Sequence, residues 1–362
     1  MIKYLYIDDE SKDVRDSFAQ NLSDKSIKVD TLHVSEIDLN NTEKLVKLLD
    51  NYHGLLLDLR LDQTASEDTK MKVPFTATVY AQHIRTLVTN GDIKKDVPIV
   101  LFSTDEKLNK VYSIDLTSQD LFDRYIEKTW IPENAKSKLI SLAKGYIEIN
   151  DNKTIYKLLG LDNLDFIDSR VFARYSDGLD IPTHEYVQTI LKDLIYPQGI
   201  LINELMLSSR LGIDIEKSED WQKLKDFFNK AKYEGVFSDG WSRWWMHLID
   251  DMFYEKTETY LSYLDANERV ELLKKITNFQ ELVVAEPIKE SYSTRFWTYC
   301  KILKKPLDPL EGFKINNPIE PKPWQEYDYC SLYAILEEKH TSKNITIHPS
   351  DRDRLNIIRS EY

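Results

Sequence analysis

KYLYIDDESKDVRDSFAQNL, residues 3–22, changes period at its middle. Residues 3–7 form a short apolar run with the length and composition of a buried strand, while Phe18 and Leu22 recur at helical spacing after Ser11. Between the two patterns stand Asp8, Asp9 and Glu10. The same alternation runs on. Strand-like runs occur at 54–57 (GLLL), 98–102 (PIVLF) and 123–127 (DRYIE), with a weaker one at 28–34. Helical patterns follow Thr42 (Leu45, Leu48, Leu49), mark Val79, Ile84 and Leu87, and follow Pro132 (Ala135, Leu139, Leu142, Ala143). Parallel neighbours need a crossover connection, so strict alternation predicts a doubly wound, five-stranded parallel sheet with helices on both faces.

In such sheets ligands bind outside the carboxyl ends of the strands. The first strand ends in Asp8 and Asp9, the third in Asp58, the fourth in Ser103 and Thr104, and the fifth in Lys128. Three carboxylates, a hydroxyl and an ammonium are therefore predicted on one sheet edge. Carboxylates sharing a site raise one another's pKa unless a cation sits among them. A hard cation with oxygen ligands, Mg²⁺, suits that donor set.

These residues, taken in order over 1–148, resemble the receiver domain of two-component response regulators, with its flavodoxin-like fold. The resemblance implies that Asp58 in LLLDLRL is the phosphoacceptor, that Asp9 ligates Mg²⁺ directly, and that Asp8 holds it through water. It also implies that the main-chain carbonyl of Arg60 is a metal ligand, Ser103 in PIVLFST the switch hydroxyl, Tyr125 in RYIEK the switch aromatic, and Lys128 the conserved-type lysine. The chemistry of these residue types agrees. A carboxylate attacks an anionic phosphoryl group only where fixed positive charge neutralises the transferring oxygens, and the new oxygens then need a hydroxyl donor. A partner sensor histidine kinase is the implied donor, with no dedicated catalytic activity beyond self-phosphorylation and self-dephosphorylation. Three positions depart from the family pattern. Thr129 follows Lys128 where proline is usual, residues 62–75 form a long polar stretch after the acceptor, and Thr104 replaces a small residue. The last two point to a long-lived phosphoaspartate.

The remainder, 149–362, is expected to be a mainly α-helical, aromatic-rich output or interaction domain; six of the seven tryptophans lie beyond residue 200. Helical periodicity is expected through 185–196, 200–211, 219–233, 266–276 and 327–338. In WSRWWMHLIDDMF, Trp241, Trp244, Trp245, Leu248 and Met252 would share one helix face. Residues 205–228 have the helix, glycine, helix outline of a helix-turn-helix, but Glu219 and Asp220 would meet the bases. GILINELMLSSRLGI, YEGVFSDGWSRWW and STRFWTYC are similar in phrasing to helical extensions on receivers that accompany sensor kinases in bacterial defence operons. That similarity favours a protein-interaction role or a phosphate sink in anti-phage defence, with another receiver or an effector as further partner and homodimerisation open. The alternatives are a phosphorylation-controlled transcription regulator and an output enzyme. No Cys/His pair has metal spacing and no glycine-rich phosphate loop occurs.

The net charge of −13, divided as about −5 before residue 150 and about −8 after it, argues against nucleic acid as a partner. No apolar stretch nears the roughly 20 residues of a membrane span, and no cleavable signal opens the chain. Cys300 and Cys330 are the only cysteines. Together these features predict a cytoplasmic protein with two packed, free thiols.

Overall fold

Five short β-rich runs pair as predicted. The computed structural model describes residues 1–63, 72–104, 120–129, 131–175, 180–341 and 345–361. Strands β1 (Ile2–Asp8), β2 (Ile27–His33), β3 (Gly54–Leu57), β4 (Ile99–Ser103) and β5 (Arg124–Glu127) form one sheet in the order β2-β1-β3-β4-β5. Every pairing is parallel. This 2-1-3-4-5 order is the flavodoxin-like form of the doubly wound fold, and it is the architecture that the receiver resemblance implies. Helices α1 (Lys12–Leu22), α2 (Thr42–Asp50), α3 (Ala77–Thr89) and α4 (Ala135–Asp151) accompany it.

Alternation along each strand divides the core into two layers. Leu5, Ile7, Leu55, Leu57, Ile99 and Leu101 cluster with Leu45 and Leu49 of α2 and Ala81 and Ile84 of α3. Tyr4, Tyr6, Leu56, Val100 and Phe102 are the intervening, equally buried positions. There the Tyr4 hydroxyl donates to the Leu139 carbonyl (2.7 Å), which ties β1 to α4. In α3 the buried stripe is Ala77, Tyr80, Ala81, Ile84 and Arg85. Val79, expected on that stripe, is half exposed, because Tyr80 takes the inward position one residue later.

A buried polar cluster lies where β4 and β5 begin. Arg85 donates through Nη1 to Asp96 (2.6 Å) and the Val97 carbonyl (3.1 Å), and through Nη2 to Asp123 (3.0 Å) and the Tyr146 hydroxyl (3.0 Å). Tyr146 donates to the other Asp123 oxygen (2.8 Å). Asp96 Oδ2 accepts the backbone N–H of His184, and its ring Nδ1 lies at 2.7 Å as well. His184 belongs to α5 (Thr183–Gln188), so a segment well beyond residue 148 is bonded into the sheet's own polar interior. Burial pulls Asp96 upward, but Arg85 and His184 outweigh it and hold the carboxyl below its ordinary range.

The chain separates into two compact units, Met1–Leu191 with Glu234–Trp241, and Lys192–Tyr233 with Ser242–Tyr362. The sequence boundary at 148 falls inside α4, and that helix continues unbroken to Asp151. Gly145 of α4 meets the returning segment: a Cβ there would lie 2.1 Å from the Phe237 ring, so only glycine admits that packing.

The second unit is helical with short strand pairs. Its helices are α6 (Glu204–Leu211), α7 (Trp221–Phe227), α8 (Met246–Thr257), α9 (Ala266–Thr277), α10 (Leu332–Leu336) and α11 (Pro349–Glu361). Two helical expectations, 200–211 and 327–338, are corrected at their starts. Leu201–Ile202 (β6) pairs with Trp244–Trp245 (β7), and Tyr329–Cys330 pairs with Phe313–Lys314. Residues 189–195 form a π-helix that continues α5. The expected tryptophan helix face is therefore absent. Trp244 and Trp245 are strand residues, Trp241 lies in the first unit, and the helix begins only at Met246. Pairing of the β-favouring tryptophans with Leu201 and Ile202 overrides a helical period carried by few residues. Gly212 takes the left-handed conformation that ends α6, and eight residues separate it from α7, against the three or four of a helix-turn-helix turn.

Arg269 is fully buried and donates to the carbonyls of Leu261 (2.9 Å), Arg210 (3.0 Å) and Phe296 (2.6 Å), joining three segments of this unit. Its burial lowers the guanidinium pKa to about 10. Cys300 and Cys330 are free and buried, as expected. The Cys300 Sγ accepts from the Ser331 N–H and hydroxyl, both at 3.4 Å.

Candidate functional site

Parallel neighbours point the same way, so the residues that end β1, β3, β4 and β5 meet along one edge. Asp8 is the last residue of β1, Asp58 directly follows β3, Ser103 closes β4, and Lys128 directly follows β5. Backbone bonds fix their levels: the Asp58 N–H donates to the Ile7 carbonyl (3.1 Å) and the Lys128 N–H to the Ser103 carbonyl (2.8 Å).

Asp8, Asp9 and Asp58 are all buried, and each offers a carboxylate oxygen within 4.8 Å of the others. Lys128 spans two of them: its Nζ lies 2.6 Å from Asp8 Oδ2 and 2.6 Å from Asp58 Oδ1. Its side chain is only 7% exposed. Burial alone would lower the ammonium pKa, yet Asp58 and Asp8 outweigh it and hold Lys128 above the ordinary lysine value. Burial likewise opposes ionisation of Asp8, but Lys128, Tyr6 and a backbone donor keep its pKa below the usual range. One buried cation thus bridges two of three clustered carboxyl groups.

Remaining lone pairs take backbone donors. Glu10 N–H reaches Asp8 Oδ1 (3.1 Å), Arg60 N–H reaches Asp58 Oδ2 (2.9 Å), and Gln63 N–H reaches Asp9 Oδ2 (2.8 Å). Arg60 turns its guanidinium to Asp62, with Nε at 2.8 Å. The structure therefore brings Asp8, Asp9, Asp58, Arg60 and Lys128 together at this edge. Ser103 is buried, and its Oγ has no hydrogen-bond partner among the described residues. Tyr125 stands on β5 and donates its hydroxyl to the Ser103 carbonyl (3.2 Å). The Lys128–Thr129 peptide is trans, and no cis bond occurs among the described residues. Of the long stretch after the acceptor, residues 64–71 lie outside the described residues.

Sequence reasoning missed the aromatic surroundings of Lys128. Its Nζ lies 5.5 Å from the Tyr6 ring centroid, 5.6 Å from Phe18 and 5.8 Å from Phe102. Tyr6 also donates its hydroxyl to Asp8 Oδ2. Burial and the adjacent Asp8 push the phenol pKa far up, so it is a permanent donor. Strand alternation was the available signal, since Tyr6 and Phe102 occupy the layer opposite Ile7 and Leu101.

No protein-family model matches the chain, and no curated protein does. Solved structures similar to it include a mutant of RitR (16% identity, TM-score 0.28), with 42% of this chain covered. The chain spans 57% of the length of that structure. Others are the receiver domain of the Francisella response regulator 1452 (16% identity, TM-score 0.26; 40% of this chain and 98% of that one) and a response regulator receiver protein from Pseudoalteromonas atlantica (17% identity, TM-score 0.23; 40% and 97%). Among the described residues no helix is long and apolar enough to cross a membrane.

Proposed function

We propose that this chain is a response-regulator-like signalling protein that accepts a phosphoryl group on Asp58. One observation carries the proposal: Lys128 bridges Asp8 and Asp58 at the carboxyl edge of a parallel sheet, with Asp9 beside them. An Asp58 oxygen forms the new bond to phosphorus as the phosphorus–nitrogen bond of a kinase phosphohistidine breaks; the departing ring nitrogen takes that electron pair, and a proton on the other ring nitrogen lets the imidazole leave neutral. Lys128 holds fixed positive charge beside the transferring oxygens. Ser103 Oγ, buried and lacking a partner among the described residues, supplies a donor for a phosphoryl oxygen. When the Ser103 hydroxyl turns toward the phosphoryl group, Tyr125 fills the space it leaves.

The donor set fits Mg²⁺. Three carboxylates with oxygens this close are a hard, all-oxygen site, and Asp8, Asp9, Asp58 and the Arg60 carbonyl would hold the ion. When bound, Mg²⁺ would neutralise charge on the phosphoryl oxygens. Residues 1–148 are the receiver in this proposal, and the region beyond is a protein-interaction module whose partner is a sensor histidine kinase, an effector or a competing receiver. The nine-residue separation of α6 from α7 favours that role over DNA binding.

The test is incubation with Mg²⁺ and a small acyl phosphate, or with a purified histidine kinase, followed by intact mass. One added phosphoryl group on the wild type and none on Asp58→Asn is expected. An unmodified wild type under both conditions overturns the proposal.

A further inference from the structure

We propose that Tyr6, Phe18 and Phe102 form an aromatic cage that positions the Lys128 ammonium for phosphoryl transfer; this rests on Asp58 being the acceptor. Three ring centroids within 5.8 Å of one Nζ are more than packing of a lysine stem requires. A ring face attracts a cation within about 6 Å, and the attraction strengthens when both are withdrawn from water. The Lys128 side chain is withdrawn in that sense, at 7% exposed. The rings also brace one another. Phe102 stands edge to face with Tyr6 at 5.3 Å and with Phe18 at 5.7 Å.

Lysine needs such a device more than arginine would, because its charge sits at the end of a flexible four-carbon stem. In the observed arrangement two carboxylates hold the ammonium. Transfer adds an anionic group to Asp58 and redistributes charge around both partners, so the carboxylates alone do not fix where Nζ sits during the reaction. The ring faces carry no counter-charge to be rearranged. They come from three elements, β1, α1 and β4, which hold them independently of the acceptor. Tyr6 connects the two systems, with its ring facing the ammonium and its hydroxyl bonded to Asp8. These three are positioning residues: they act through Lys128.

Phe18 is the side chain to replace, since it is partly exposed and lies on a surface helix. Phe18→Leu keeps an apolar side chain and removes the ring, while Phe18→Trp restores a ring face. With Mg²⁺ saturating, the maximal rate of phosphorylation by acyl phosphate should fall roughly 2- to 30-fold in Phe18→Leu and recover in Phe18→Trp. The donor concentration at half-maximal rate should change much less. A second measurement needs neither metal nor phosphoryl group: the Lys128 Hε protons, assigned by Lys128→Met, should resonate upfield of the other lysines through ring currents and move back in Phe18→Leu.

Wild-type-like phosphorylation by Phe18→Leu, equal loss in Phe18→Trp, or an ordinary Lys128 Hε shift in the folded wild type each overturns the cage. A wild type that shows the upfield shift but takes no phosphoryl group instead overturns the phosphoacceptor assignment, and with it the positioning role.

Discussion

Replacing Arg85 by methionine tests the buried polar cluster that joins the sheet to α5. Arg85 is 4% exposed, and its partners Asp96 and Asp123 are 2% and 0% exposed. Methionine fills much of the volume but leaves two carboxylates without their shared cation. Removing one member of a buried ion pair costs about 3–5 kcal/mol. For a unit of this size that is a fall of roughly 6–20 °C in Tm, at about 2–4 °C per kcal/mol. Calorimetry on the full chain measures it, with hydrogen exchange at β4 and β5 amides identifying the transition that belongs to the first unit. Adding Asp123→Asn should recover part of the loss, because one uncompensated charge is gone. Burial keeps the Asp123 pKa raised in spite of Arg85, so the stabilisation that is lost in acid rests with Asp96, whose folded pKa is depressed. Its contribution is present above the ordinary value of about 3.9 and is lost as pH falls through the depressed one, so wild type and variant should converge in acid. A loss below about 1 kcal/mol, within the range of an ordinary hydrogen bond, or a difference indifferent to pH would refute the reasoning.

Three further outcomes are expected. Gly145→Ala should destabilise by about 1–3 kcal/mol in denaturant titration, since its Cβ would fall 2.1 Å from the Phe237 ring and force Phe237 to move. Asp265 and Glu268 form a reciprocal capping box at the start of α9, so Asp265→Ala should cost about 1 kcal/mol, measured on the second unit's transition. In metal-free protein, the Asp8 contribution should be lost as pH falls below about 3.9, while the Lys128 contribution should persist until pH rises past about 10.4 and through its raised folded value. Asp8→Asn should flatten the acid limb; an unchanged limb would show that the pair adds nothing to folding.

The sheet was legible because β1, β3 and β4 are short, largely apolar runs bounded by polar residues, and because parallel connection leaves few alternatives. The site was legible for the same reason, since residues that end consecutive parallel strands have to share an edge. Long-range polar chemistry was not. Nothing local marks Arg85 as the partner of Asp96 and Asp123, or His184 as a partner of Asp96, because those bonds span from 11 to 88 positions of chain. The tryptophan segment misled for a related reason: its period fits a helix, whereas its neighbour in space, Leu201–Ile202, makes it a strand. The Lys128 cage draws on residues 6, 18 and 102, which are far apart in the chain and carry no local sign of a shared cation.

The eight residues Glu234–Trp241 belong with the first unit although sequence on both sides belongs with the second. The polypeptide therefore crosses between units three times, and no single cut releases the first one whole. A fragment ending at Leu191 would lack Phe237, which packs at Gly145, and Asp239, which accepts from Lys144 Nζ at 3.0 Å. Limited proteolysis within 192–233 should accordingly leave a nicked protein that stays associated under native conditions. The same threading means that residues 1–191 transplanted alone into another protein would arrive with a gap against α4. Chimeras of this chain need both the 1–191 portion and the 234–241 return, joined by a designed link.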